Sequence, residues 1–446
     1  MKIGFIAPAW DIVRDKPGAH VFLLAPLTFP VLAALTPEDI EIDVIEERLR
    51  PVPFETEYDL VGLTFVTAFA PHSYSIANKF RERGVPVVLG GPHVTVRPEE
   101  ALRHADTVVV GEAEKVWGRF IADFRRGKLE RLYRAGDLID MKDFPRPRLD
   151  VVPREFTVHN VTLASKGCPN RCRFCFISSV NRHRQRFRPI PDVVGDIERM
   201  ENHAGLARDF LVFWDDNIAG DPQYLKELCR AITPYKKKWL AAAATNVADD
   251  DEIPKLLERS GCAGLFIGME SVNTASLEHV QKHHNKVGKF REMMAKLHDH
   301  GVGVTGAFIF GLDQDDRTVF DRTLEFVMSI DLDCMTPAIF TPLPGTPVYE
   351  EMESEGRIID RNWAHYDYHH VVFEPRRMSR DELETGFIKM MNDFFSYGSV
   401  FKRLSRSRTR LLMALLLNLG YHKFYRRMLH ELPELVQGDE PAGPPS

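Results

Sequence analysis

Cysteine is scarce in this chain, with six residues in 446, and that scarcity excludes a disulfide framework. Three of the six nevertheless crowd between positions 168 and 175, while the others stand singly, a distribution that points to metal rather than to cross-linking. No apolar run approaches the roughly 20 residues that a bilayer-spanning helix needs. The longest candidate runs only from Leu411 to Leu419. No secretory signal is visible where Met1-Lys2 leads directly into the strand-like Ile3-Gly4-Phe5-Ile6, so a cytoplasmic location is expected. Neither sign of charge dominates, and a net charge of −6 argues against a nucleic-acid binder. With 44% hydrophobic and 27% charged residues, the composition is that of ordinary globular domains and not of a disordered chain.

What is present is a rhythm of strands and helices. Residues 2 to 7, 40 to 45, 59 to 65, 86 to 90 and 106 to 110 are short, β-branched-rich runs, and 71 to 83 and 97 to 104 have helical periodicity. The alternation predicts a doubly wound, Rossmann-like α/β domain over 1–135. The Gly90-Gly91-Pro92-His93 and Gly111-Glu112-Ala113-Glu114 turns follow strands, where such a sheet places its ligand crevice, so Gly90, Gly91 and His93 are candidate cofactor contacts. His93 reads equally well as a turn histidine. A Pro- and Arg-rich linker occupies 136–157.

Strands near 159 to 165, 209 to 214, 239 to 245, 263 to 268, 303 to 310 and 334 to 340 then alternate with helix-length segments. They predict a partial (β/α)6 TIM-type barrel over 158–345 with its reactive face at the carboxyl ends of the strands. A helical C-terminal region is expected over 346–437 and a disordered tail over 438–446.

Directly after the first barrel strand comes Lys166-Gly167-Cys168-Pro169-Asn170-Arg171-Cys172-Arg173-Phe174-Cys175, a Cys-x3-Cys-x2-Cys spacing. Three thiolates on one loop can reach three irons of a cubane cluster and leave the fourth open to a small chelating ligand. Structural zinc would need a fourth ligand at a fixed offset, and none stands nearby.

This loop resembles the signature of the radical S-adenosylmethionine superfamily, and the order of domains resembles the subfamily with an N-terminal cobalamin-binding-type domain. The resemblance covers most of residues 1 to about 390. It implies that Cys168, Cys172 and Cys175 hold a four-iron, four-sulfur cluster whose open iron binds S-adenosylmethionine. One electron then cleaves that molecule to a 5′-deoxyadenosyl radical, which attacks an unactivated carbon. By the same resemblance Phe174 flanks the adenine, and Asp216 and Asn217 of the segment Phe213-Trp214-Asp215-Asp216-Asn217 contact the methionyl ammonium. Asn246, Glu270 and Ser271 hold ribose hydroxyls or the methionyl group. Gly311, closing Gly306-Ala307-Phe308-Ile309-Phe310-Gly311, and Pro344, within Thr341-Pro342-Leu343-Pro344-Gly345, lie on the adenine side. Asp215 and Asp216 read otherwise as helix caps.

The subfamily's usual cobalamin signature, Asp-x-His-x-x-Gly, occurs nowhere in the chain. The function therefore forks. With cobalamin, the resemblance implies C-methylation or ring rearrangement of a natural product or lipid. Without it, dehydration, epimerisation or cyclisation of an amino sugar or polyol is expected. Either needs an acid or base near the substrate carbon, for which Glu270, Tyr366, Tyr368, His369 and His370 are the candidate catalytic residues. A reductant protein such as flavodoxin or ferredoxin is implied. A non-catalytic iron-sulfur electron carrier is the alternative from another class, although a carrier would close its cluster with four cysteines.

Cys229, Cys262 and Cys334 stand in apolar contexts and read as inert buried thiols. From Ser399 to His430 the chain has eight Lys or Arg and no acid. That stretch reads either as a solvated helical cap or as a peripheral contact with an anionic lipid surface or substrate.

Overall fold

The structure is a computed structural model and describes residues 1–9, 23–200, 210–405, 409, 414–415 and 417–423. Two six-stranded parallel sheets organise it. The first consists of β1 (Lys2–Ala7), β2 (Glu41–Glu46), β3 (Leu60–Thr64), β4 (Val87–Gly90), β5 (Thr107–Val110) and β6 (Leu132–Arg134), in the order β2-β1-β3-β4-β5-β6. The pattern reading found the first five and missed β6, whose three residues are too few to show alternation.

Both faces of this sheet are buried, as parallel strands require. Ile6, Ile45, Val61, Leu63 and Leu89 pack with Tyr74, Ile76 and Phe80 of the helix Ala70–Glu82. The alternate residues Ile3, Phe5, Val44, Leu60 and Val88 pack with Phe29 and Leu32 of the helix Thr28–Ala34, and with Trp117 and Phe120 of the helix Trp117–Arg125. Strand order reverses at β1, so the crevice opens between the carboxyl ends of β1 and β3.

The segment 136–157 is packed rather than loose. Ile139, Met141, Phe144, Val152 and Phe156 are buried with Leu23, Ala25, Val161, Leu163, Phe210, Val212 and Ala263, which closes one end of the second sheet. Proline and arginine richness hid this, because the apolar residues there follow no period.

The second sheet also has six strands, set side by side in chain order. Its strands are β7 (Val161–Thr162), β10 (Phe210–Phe213), β11 (Lys238–Ala243), β12 (Cys262–Glu270), β13 (Gly303–Phe310) and β14 (Cys334–Ile339). Each neighbouring pair is parallel and consecutive among these six, the arrangement of an open partial barrel. A small antiparallel pair, β8 (Ser165–Lys166) with β9 (Arg186–Phe187), brackets the cysteine loop.

The outer residues of the barrel strands, among them Trp239, Ala241, Leu265, Ile267, Val304 and Phe308, are buried among its helices. The alternate inner residues Leu240, Ala242, Phe266, Ala307, Ile309, Thr336 and Ala338 keep part or much of their surface open, and Phe266 is 42% exposed. The barrel therefore has a lumen lined mainly by small and apolar side chains, with the polar Thr305 and Thr336 among them.

The C-terminal region is only partly helical. Helices cover Pro347–Ser354, Arg380–Phe394 and Tyr397–Leu404. Between the first two a mostly irregular return, with one 3-10 turn at Trp363–His365, is tied by a bridge from Ile358 to Phe373, and it carries Tyr366, Tyr368, His369 and His370. In the basic stretch, Arg403 is buried. Its guanidinium lies 3.8 Å from the centroid of the Phe394 ring and donates to Leu332 O, Asp333 O, Phe394 O and Asn418 Oδ1, so this charge braces the core and is not offered to a surface. Much of the remaining basic stretch, including 406–408, 410–413 and 424–430, and the whole 438–446 tail lie outside the described residues. Among the described residues no helix is long and apolar enough to cross a membrane.

Candidate functional site

Cys168, Cys172 and Cys175 occupy the loop between β8 and the short helix Phe176–Val180, at the mouth of the barrel. Two aspartates after β10 hold that loop. Asp215 is buried and accepts from Ala164 N at 2.9 Å, from Ser165 N at 2.6 Å and from Ser165 Oγ at 2.6 Å. Burial pushes its carboxyl up to about 7. Asp216 accepts from Gly167 N at 2.8 Å, and burial raises its carboxyl too. They are not helix caps: both brace the backbone leading into the first cysteine. Gly167 has φ +90° and an added Cβ would lie 2.1 Å from Arg184 O, so only glycine lets the strand turn into the loop here.

Asn217 joins the same bracing. Its Oδ1 accepts from Ala244 N at 2.9 Å and its Nδ2 points at Cys168 Sγ, 3.9 Å away. Burial raises the Cys168 thiol and pushes that of Cys172 up to about 12, and Cys175 adds to the repulsion on both. The Cys168 and Cys172 thiols thus resist ionisation on their own; a bound metal deprotonates a thiol outright. Among the described residues no three Cys, His, Asp or Glu side chains converge on one point as a single metal ion demands. Thiolates that each bind a different iron of a cubane need not converge, and three soft donors on one loop fit such a cluster.

Beneath the cysteines lies a pair that the sequence did not suggest. Lys282 and Glu270 are both buried and in contact, Nζ to Oε1 2.5 Å. Burial works against the charge on Lys282, but Glu270 and the thiols of Cys172 and Cys175 outweigh it and hold the ammonium above its usual range. Its Nζ also stands 5.8 Å from the centroid of the Phe174 ring. Glu270 has φ +63° at a bulge that ends β12, and a Cβ on Gly268 would meet Glu270 Oε1 at 2.3 Å and Lys282 Nζ at 2.9 Å. Ser271, next in line, is buried with its Oγ accepting from Asn273 N at 3.0 Å. No local signal marks Lys282, which reads as one charge in a polar run; only closure of the barrel carries it under the cluster loop.

The remaining candidates scatter. Asn246 lines a cavity of about 260 Å³ between the turn after β11 and the helix Val287–Asp299, together with Thr245, His284, Lys286, Lys289 and Phe290. Its Oδ1 is buried without a partner. Gly311 packs under Leu383 and Phe373, where an added Cβ would meet Leu383 Cδ2 at 2.8 Å. The loop with Pro344 abuts the first sheet's layer, since a Cβ on Gly345 would lie 2.5 Å from Val96 Cγ1.

Tyr366 is a core residue, donating to Asp360 O at 2.9 Å and packed on Trp363. Tyr368 differs: 44% exposed, at φ +70°, with its carbonyl accepting from Ile339 N at the end of β14. Enclosing protein, and after it the nearby Cys175, push its phenol up to about 12. Burial lowers His369 to about 4. His370 Nδ1 bonds Asp367 Oδ2 at 2.9 Å, and its ring stacks on His365.

On the first sheet, Gly91 has φ +101° and an added Cβ would meet Thr64 Oγ1 at 2.6 Å and Phe65 N at 2.8 Å, so its role is close packing of the β4 turn on β3. Gly90 ends β4 beside it. His93 is fully buried, its Nδ1 3.2 Å from Thr67 Oγ1 and its Nε2 3.4 Å from Glu100 Oε1, with Trp363 edge-on. Both ring nitrogens are engaged, which is the turn-histidine arrangement and offers no imidazole to a ligand. His72 likewise bonds Glu47, at 2.7 Å. Among the described residues at the crevice, Val66 just beyond β3 leaves 46% of its apolar surface exposed. Such a crevice fits a large planar cofactor resting on apolar side chains without a histidine from these positions.

A parallel sheet with a switch-point crevice, joined to a partial barrel with three cysteines at its mouth, defines a class: the chain belongs to the radical S-adenosylmethionine superfamily, in the subfamily with a B12-binding-type domain. Residues 162–327 match the family model of the Radical SAM superfamily, and residues 33–120 match that of the B12 binding domain. The chain is 30% identical over 408 residues to bacteriochlorophyllide d C-12(1)-methyltransferase of Chlorobaculum tepidum, covering 89% of each. It is 26% identical over 461 residues to bacteriochlorophyllide d C-8(2)-methyltransferase of the same organism, covering 97% of this chain and 99% of that one. Among solved structures, the radical S-adenosylmethionine methyltransferase TsrM from Kitasatospora setae superposes with a TM-score of 0.66 at 15% identity, over 98% of this chain and 99% of that one. The protein is thus an enzyme of this class and not an electron carrier. The class uses a four-iron, four-sulfur cluster, S-adenosylmethionine and, through the B12-binding domain, cobalamin, and it needs a reductant and a small-molecule substrate.

Proposed function

We propose that this enzyme methylates a carbon of a large, apolar, ring-based natural product of the tetrapyrrole kind. Cys168, Cys172 and Cys175 hold the cluster and the β1/β3 crevice holds cobalamin. When bound, these groups supply one-electron cleavage of S-adenosylmethionine and a transferable methyl group. The chain's own residues supply aim and enclosure. Asp215, Asp216 and Asn217 fix the cysteine loop. The Lys282–Glu270 pair places a cation beside the thiolates and, at Glu270, an acceptor at the end of β12. Tyr368 offers its hydroxyl as hydrogen-bond donor to the substrate, because a phenol raised to about 12 keeps its proton at neutral pH.

The observation that carries the substrate class is the lumen. Its inner strand residues are mainly small or apolar, with Thr305 and Thr336 the polar ones among them, and Phe266 and Tyr368 expose 42% and 44% of their surface. Solvent-open aromatics lining a concave site are the mark of an apolar ligand surface. The two bacteriochlorophyllide methyltransferases, similar over nearly their whole length, support the same class. An amino sugar or polyol, the alternative drawn from sequence, would call for more polar groups on that inner face, where Ala242, Ala307, Ile309 and Ala338 outnumber Thr305 and Thr336.

The test is anaerobic reconstitution with cobalamin, followed by turnover of a chlorin or porphyrin with S-adenosylmethionine carrying a deuterated methyl group. A substrate mass gain of one labelled methyl, with S-adenosylhomocysteine as co-product, is expected. 5′-Deoxyadenosine without any labelled product across a tetrapyrrole panel would remove the substrate class.

A further inference from the structure

Two segments of this acidic chain carry cations without a single acid: Lys166 to Pro191 has seven Lys or Arg, and His279 to Arg291 has four. They lie far apart in sequence, yet the fold joins them at the cysteine loop. Arg173 N donates to Val280 O at 3.1 Å, and Asn170 Nδ2 stands 3.5 Å from His284 Nε2. The 182–184 turn closes on the same residue, with His183 Nδ1 3.4 Å from Asn170 O. Several of these cations are spoken for. Lys166 and Arg186 pair with Glu112, Arg188 with Asp196, and Arg173 with Glu351. Arg182 faces Asp137 and Lys289 faces Asp249 at the rim. Arg171, Arg184 and Lys286 are exposed and form no ion pair among the described residues. Arg171 stands between two of the cysteines.

We propose that this rim is the docking surface for a small acidic one-electron carrier protein, which passes its electron to the cluster through the loop beneath. The proposal rests on the radical-enzyme assignment and not on the substrate. Its grounds are position and charge. An electron donor must approach the metal closely, the cysteine loop is where the chain brings the metal toward its surface, and unpaired cations ring that loop on a protein whose net charge is −6. A local cationic field on an anionic protein steers an acidic partner to one face and repels it from the rest. The electron balance is simple: the carrier loses one electron, the cluster gains it, and the sulfonium carbon–sulfur bond of S-adenosylmethionine later accepts it. A nucleic acid would also favour cations, but these sit around the cysteines, where a strand has no reaction to undergo.

The test uses the reconstituted full-length enzyme and follows bleaching of the cluster absorbance, so no methylation substrate is needed. Reduced flavodoxin and reduced ferredoxin are compared with dithionite, for the native chain and for Arg184→Glu with Lys286→Glu. The expected result is saturable reduction of the native cluster by one of the two carriers, weakened by salt, with a half-saturating concentration about tenfold higher in the variant. Iron content and dithionite reduction should not change, and Arg184→Gln with Lys286→Gln should fall between. Carrier-driven reduction that is equal in native and variant proteins, an equal loss with dithionite, or a native cluster reduced by neither carrier would overturn the proposal. A chain that takes up no iron would overturn the radical assignment itself, and the proposal with it.

Discussion

The two six-stranded sheets share parallel pairing and apolar strands, yet they spend their inner surfaces differently. In the first, alternate residues of the same strand, such as Phe5 and Ile6 on β1, are both buried, one on each face. In the second, Leu265 and Ile267 are buried outward while Phe266 between them is open to the lumen. A sheet filled on both sides can bind only at its strand ends, whereas a half-closed barrel can take a substrate inside. The division of labour follows: the first sheet offers an edge for a cofactor, and the second a chamber for chemistry.

The comparison makes predictions that can break it. Cys172→Ala should have the largest effect, loss of the cluster and of all S-adenosylmethionine cleavage, with far-ultraviolet circular dichroism and melting behaviour of the metal-free chain little changed. Phe5→Ala should cost about 3–5 kcal/mol in denaturant unfolding, since it deletes a ring from a full core. Phe266→Ala should cost far less stability yet raise KM for the substrate; equal stability losses at the two positions would erase the distinction between the sheets. Lys282→Met should destabilise by about 3–5 kcal/mol by leaving Glu270 buried and unpaired, and adding Glu270→Gln should recover most of that loss. The smallest effect concerns pH. Burial lowers His369 and His284 to about 4, below their value in an unfolded chain. Between about pH 6.5 and 4 the unfolded state therefore binds more protons, and stability contributed by these neutral rings falls as pH falls through that window. His369→Gln should flatten the acid limb of a stability-versus-pH curve; an unchanged slope would mean that His369 is not held neutral.

Much of this architecture was legible in the sequence, for identifiable reasons. Strands β1 to β5 and the six barrel strands β7 and β10 to β14 announce themselves because a parallel strand buried on one or both faces must be largely apolar along its length, whereas the short β8–β9 pair does not. The cysteine loop is legible because three ligands to one cluster must come from a short segment. What was not legible depends on closure in three dimensions. His93 reads equally well as a ligand at a strand end or as a turn histidine until Thr67, Glu100 and Trp363 are seen to surround it. Lys282 carries no local mark, and only the barrel brings it beside Cys172. Arg403 reads as part of a basic surface until Phe394 and four acceptors enclose it. In each case a polar side chain is buried by partners distant in sequence, which no local pattern encodes.

The account's central claim is that one chain couples a radical cluster in the barrel to a cobalamin at the first sheet's edge. The most direct test is to purify and reconstitute the full chain anaerobically, count iron, sulfide and cobalt, and measure products after reduction with S-adenosylmethionine. The account predicts about four irons and one cobalamin per chain, with both 5′-deoxyadenosine and S-adenosylhomocysteine formed. Four irons without cobalt, giving 5′-deoxyadenosine alone, would contradict the role assigned to the first sheet. No iron at all would contradict the whole account.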